Sequence, residues 1–253
     1  MSVAFDGAYL RELGFTEHDV PALLEIVRRW ENPDIFEDVD DEREAFASVH
    51  AWRALAELRA PALVPTLLSI LDALNEMGDD WSLEEFPSLF AHVGASVIEP
   101  LERFLLDSTH REYARVTAAH GLKDIAVAEP EVRDRVVAVF VGELERHDST
   151  CFSLNGFLVS YLVDLEAVEH ADVIERAFAA GTIEEFVCGD WPRIAYELGL
   201  GPEPPPRGPR WLTRLDAPAR LEEAPSSPRK GNKTSKSRRK QQKKSRKKNR
   251  RNK

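Results

Sequence analysis

Cysteine, lysine and long apolar runs are all scarce in this chain of 253 residues, and each shortage excludes something. Only Cys151 and Cys188 are present, without a CxxC partner, so a disulfide framework is not expected and two free thiols suit a reducing cytoplasm. No apolar run approaches the roughly 20 residues that a membrane span needs, so no membrane association is read. The N-terminal MSVAFDGAYLREL has neither a basic n-region nor an apolar h-region, and no signal peptide is expected. Phosphate loops of the GxxxxGK[ST] or GxGxxG kind are missing. The histidines form no HExxH or HxH spacing, and HVGASVI lacks the second glycine of a nucleophile elbow. Neither a catalytic residue, a metal site, a cofactor nor a small-molecule site emerges, and the expectation is a protein that is not an enzyme.

What is there is charge, unevenly placed. Residues 1–201 carry a net charge of −25, with Lys123 as their only lysine. The stretch 202–228 is neutral and holds half of the sixteen prolines. From Arg229 to Lys253 there are 15 basic residues and no acidic one. The overall −10 thus hides a dipolar chain, and asymmetry of this sort marks an interaction tail. Lysine scarcity beside plentiful arginine and alanine suggests a high-GC bacterial genome.

Residues 1–201 read as helix after helix, with apolar positions three and four apart in VPALLEIVRRW and AFASVHAWRALAEL and no strand or hairpin signal. Three breaks resemble capping boxes: Ser82 with Glu85, Thr109 with Glu112, and Thr182 with Glu185. Pro87, five residues past Ser82, implies either a later helix start or a kink. Laying residues 53–71 over 87–105 gives an offset of 34, with Leu55, Leu63, Leu67 and Leu71 falling on Leu89, Val97, Leu101 and Leu105. Leu122, Val132, Val136 and Phe140 repeat the frame once two residues are inserted in its turn, and a fourth unit gives Leu162, His170, Ile174 and Phe178. Such a period indicates helical pairs that bury their apolar faces on their neighbours. The expected fold is all-α: an α-solenoid of HEAT-like helical pairs, an αα-superhelix, over residues 1–201. A proline-rich linker, 202–228, and a disordered basic tail, 229–253, follow it.

Across these pairs, the stretch HAWRALAELRAPALVPTLLSIL…WSLEEFPSLFAHVGASVIEPLERFL resembles the bacterial family of domain of unknown function 1186, over roughly residues 16–199. The resemblance implies an all-α superhelix and no established activity. Some relatives end in a cysteine-rich SEC-C metal-binding motif, but here no cysteine follows Cys188, so no zinc site carries over. HEAT-like repeats also occur in phycobilisome lyase-type proteins, and generic repeats do not transfer that activity.

Candidate contact residues come from position. Arg103 and Arg176 occupy matching places in LERF and IERA on second helices, which in solenoids line the concave face; the plainer reading is a solubilising Glu–Arg pair. Trp191 and Tyr196, in a closing helix capped by Asp190 with Pro192 in its first turn, are expected to cover the open end of the last repeat. Trp191 is also a candidate for partner recognition. Cys151 and Cys188 sit in apolar surroundings that suit packing rather than reactivity. The acidic run 31–44 reads as a solvated loop or a docking patch for something basic. In the tail, Arg238, Arg239, Lys240, Lys243, Lys244, Arg246, Lys247, Lys248, Arg250 and Arg251 are candidates for nucleic-acid binding. No aromatic residue accompanies them, so phosphate contact without base stacking is the expected mode. Docking of the tail on the acidic body and a plain solubility or targeting role are the alternatives. The expected protein is a cytoplasmic scaffold that binds a protein partner through its helices and RNA or ribosomes through its tail.

Overall fold

The computed structural model describes residues 7–31, 42–146 and 148–205, which lie within the unit Met1–Pro205. Most of the acidic run 31–44, the linker beyond Pro205 and the whole basic tail lie outside the described residues. Among the described residues there are twelve α-helices and no strand. They are α1 (Ala8–Leu13), α2 (Val20–Arg28), α3 (Glu42–Glu57), α4 (Leu63–Met77), α5 (Asp80–Val93) and α6 (Ile98–Leu106). The others are α7 (Glu112–Ala128), α8 (Arg133–Leu144), α9 (Phe152–Asp164), α10 (Ala171–Ala179), α11 (Glu185–Cys188) and α12 (Trp191–Glu197).

Packing follows chain order in two layers. In one, α3 packs on α5, α5 on α7, α7 on α9 and α9 on α11; in the other, α4 meets α6, and α8 meets α10, which meets α12. The residues of the repeat frame explain why. Leu55, Leu63, Leu67, Leu71, Leu89, Val97, Leu101, Leu105, Leu122, Val136, Phe140, Leu162 and Ile174 are all buried. Val132 and Phe178 are half-buried against that core. A helix of three turns cannot hold itself together in water, so each pair is stabilised by the apolar face it shares with the next. Helices α5 and α7 approach closely: a Cβ at Gly121 would lie 2.5 Å from the Phe90 ring, so only glycine lets the helices meet there.

Helix starts depart from the sequence expectation in an instructive way. The Thr109 and Thr182 capping boxes do not form, and Ser82 does not stand at a helix start. Ser82 lies inside α5, which begins at Asp80 and continues through Pro87, and Glu85 is buried against Arg53 at 2.6 Å. Thr109 donates its hydroxyl to Asp107 rather than capping α7 (2.7 Å), and Thr182 donates its hydroxyl back to the Ala177 carbonyl. At several helix starts a carboxylate from another repeat takes this role. Glu112 Oε1 accepts from the amides of Ser153 and Leu154 at the start of α9 (2.8 and 3.0 Å). Asp72 accepts from the amide of Arg111, just before α7, at 2.8 Å. Glu129 accepts from the amide of Ala95, ahead of α6, at 2.9 Å. Each satisfies backbone donors left open by the first helical turn, and each also ties two repeats together.

Helix ends are held similarly. Arg133 on α8 donates to the carbonyls of Leu165 and Glu166 beyond α9, at 2.8 and 3.1 Å. The terminal helix matches its expectation: Asp190 accepts from the amide of Arg193, and Pro192 occupies the first turn of α12. Trp191 packs against Phe178 with ring centroids 6.1 Å apart. Tyr196 does not cover the core with it; it is exposed and carries the Arg193 guanidinium at 5.9 Å from its ring.

Candidate functional site

Side chains that face water on the second-helix layer are largely engaged with one another. Arg103 and Arg176 both lie exposed, two residues beyond the buried Leu101 and Ile174, so their shared register is real. Both have acidic neighbours on their own helices: Glu99 lies 4.0 Å from Arg103, and Asp172 lies 2.6 Å from Arg176. The Arg176 guanidinium, with its hydrogen bond, holds the Asp172 carboxyl below its ordinary range. Between helices, Arg135 makes a two-pronged contact with Glu102 at 2.7 and 2.6 Å, and Arg176 reaches Glu145 at 3.7 Å. Acid and base thus alternate along α6, α8 and α10 as a set of pairs.

The first-helix layer differs. On α7, Tyr113, His120 and Asp124 share one face by their spacing of seven and four; on α9, Phe157, Tyr161 and Asp164 do the same. Stacking of α7 on α9 brings the two faces together into a run of rings. Tyr113 lies 6.5 Å from Phe157, Phe157 lies 6.0 Å from Tyr161, and Tyr161 stacks on His120 at 5.4 Å. Tyr113 is 48% exposed, whereas Tyr161 is buried beneath its neighbours. Lys123 places its ammonium 5.8 Å from the Tyr161 ring centroid and 2.5 Å from Asp124. Burial pushes His120 below its ordinary value against the opposing pull of Asp124 and Asp164, so the ring is neutral at pH 7. Burial, with the same two carboxylates, pushes the Tyr161 phenol up. Sequence reading missed this strip, because its signal lies in two separate helix faces whose apposition depends on how α7 and α9 stack.

A third polar cluster is internal. Arg115, at the start of α7, is fully buried and donates to the Leu105 carbonyl at 2.7 Å and to Glu143 on α8. Its guanidinium also approaches Cys151 Sγ at 3.5 Å, while Arg146 lies 3.0 Å from the other Glu143 oxygen. Contact at that oxygen is an ion pair without an aligned hydrogen bond. Both cysteines are free and half-buried, and burial raises the Cys151 thiol above its ordinary range, which disfavours the reactive thiolate. Among the described residues no group of three or more His, Cys, Asp or Glu side chains could hold a metal ion, and no helix is long and apolar enough to cross a membrane.

A family model described as protein of unknown function (DUF1186) matches residues 12–190. The chain belongs to that family. The DUF1186 match begins within α1 and ends at Asp190, so it spans the paired helices, the aromatic strip and the buried Arg115–Glu143 pair. Comparisons with curated proteins and with solved structures return no match.

Proposed function

We propose that this DUF1186 protein is a non-enzymatic adaptor of the cytoplasm, whose helical pairs bind a protein partner while its basic C-terminal segment tethers the assembly to RNA or ribosomes. One observation carries the tether: residues 229–253 hold 15 basic residues, no acid and no aromatic, after a neutral proline-rich stretch on a body of net charge −25. Phosphate contact needs only such charge, and it releases counterions. If half of those charges engage single-stranded RNA, log K falls with log salt at a slope of roughly −5. Support for the adaptor role of the body comes from its stacked pairs, since arrays of this kind offer a long surface rather than an enclosed pocket.

Sedimentation of lysate through a cushion tests the tether, with full-length protein and a 1–228 truncation, each with and without RNase. The full chain is expected to pellet in low salt and to return to the top after RNase or truncation. Retention of both forms at the top in low salt would refute the RNA reading.

A further inference from the structure

The ring-and-carboxylate strip between α7 and α9 takes no part in the tether, and three features of it point to one kind of occupant. First, its rings form a continuous run from Tyr113 through Phe157 and Tyr161 to His120, and Tyr113 stands half in water. A further ring, Phe186, is 71% exposed on α11, the helix that packs next against α9. Second, the charge around the rings is negative. Asp124 and Asp164 both act on His120 and on Tyr161, His120 is neutral at pH 7, and the nearby cation Lys123 is already held by Asp124. Third, the strip already accepts a cation from its own chain: the Lys123 ammonium sits over the Tyr161 ring with a carboxylate beside it. A ring face and a carboxylate together are what an arginine or lysine side chain needs when it is partly desolvated. On the second-helix layer the carboxylates of Glu102 and Asp172 are matched by arginines.

We infer that the α7–α9 strip is a docking surface for a basic segment of a partner protein, whose arginine or lysine side chains lie across Tyr113 and Phe157 and end at Asp164. This inference rests on the adaptor reading, naming the partner's chemistry and the face it uses. An apolar partner would leave Asp164 facing nonpolar groups, and an acidic one would be repelled by it.

The test is fluorescence anisotropy of a labelled arginine-rich peptide with the full-length protein at low salt, beside an acidic peptide of equal length. Tyr113→Ala and Asp164→Asn should each weaken binding of the basic peptide, roughly two- to fivefold for the exposed ring. Glu99→Gln on the other layer removes the same unit of charge and should leave binding unchanged. Lys123→Gln, which frees the Tyr161 face and Asp124, should tighten it. Equal losses with Asp164→Asn and Glu99→Gln would reduce the effect to overall charge and overturn the inference. So would binding of the acidic peptide, no binding of the basic one, or a concentration-dependent dimer abolished by Tyr113→Ala, which would make a second copy the occupant. Peptide binding and RNase-sensitive sedimentation read different parts of the chain. Loss of the first with the second intact removes this surface alone, while the reverse removes the tether and leaves the docking face standing.

Discussion

Replacing Glu143 with leucine should be among the most damaging single changes in the body, and adding Arg115→Met should partly repair it. Arg115 is 1% exposed and Glu143 is 3%, so neither charge has water to fall back on. In Glu143→Leu the guanidinium keeps the Leu105 carbonyl at 2.7 Å and the Cys151 sulfur at 3.5 Å, but loses its counter-charge. Removing one partner of a buried pair costs about 3–5 kcal/mol. For a protein of this size each kcal/mol corresponds to roughly 2–4 °C, so the melting temperature should fall by about 6–20 °C. Arg146 is half-exposed and simply returns to solvent, which adds little. The double variant removes the stranded charge and fills the space with apolar atoms. It still leaves the Leu105 carbonyl without its donor, at about 1–3 kcal/mol. Urea denaturation followed by far-ultraviolet circular dichroism measures both variants against wild type. The reasoning fails if Glu143→Leu costs no more than the roughly 0.5 kcal/mol typical of a surface change, or if the double variant is less stable than Glu143→Leu alone.

Gly121→Ala should destabilise the protein although alanine gains about 1 kcal/mol in helix propensity, because the added methyl meets the buried Phe90 ring and overpacking costs about 1–3 kcal/mol; thermal melts decide the sign. Glu112→Ala should expose the Ser153 and Leu154 amides, costing about 0.5–2 kcal/mol, with faster hydrogen exchange confined to the first turn of α9. For pH, burial holds His120 below its unfolded value of 6.5, so its neutral form is the one favoured by folding. That contribution is complete above the unfolded value and is lost as pH falls through the lower folded one. The drop in melting temperature on acidification should therefore be smaller in His120→Gln. Burial also lowers His92, so some of the slope should persist; an unchanged slope would show that His120 is solvated in the fold.

The repeat frame was legible because burial at a recurring helix position is a local property: Leu67, Leu101, Val136 and Ile174 need only a helix and a neighbour to be inside. His170 took the place of an apolar residue in that frame and is only half-buried, as a titratable side chain at such a position would be. The register shared by Arg103 and Arg176 was readable for the same reason, whereas the contact of Arg176 with Glu145 was not, since Glu145 follows the end of the neighbouring helix α8.

The expected capping boxes do not hold, although Asp190 and Glu184 cap their own helices, and the failure has a physical source. A capping box assumes that the first turn looks after its own amides. In a stack, the start of one helix lies beside the start or end of another, so a side chain on a neighbouring repeat can reach those amides while also bonding the repeats together. Glu112 does this for α9 across 41 and 42 residues, and Asp72 does it for the start of α7 across 39. The aromatic strip obeys the same logic, because Tyr113 and Phe157 become neighbours only when α7 and α9 are laid side by side. An acidic or aromatic residue in the first turns of one pair is therefore best read against the helix that begins about one repeat further along. On that reading, Glu112 alone would have pointed to the start of α9, and Tyr113, beside it, to the ring it meets there.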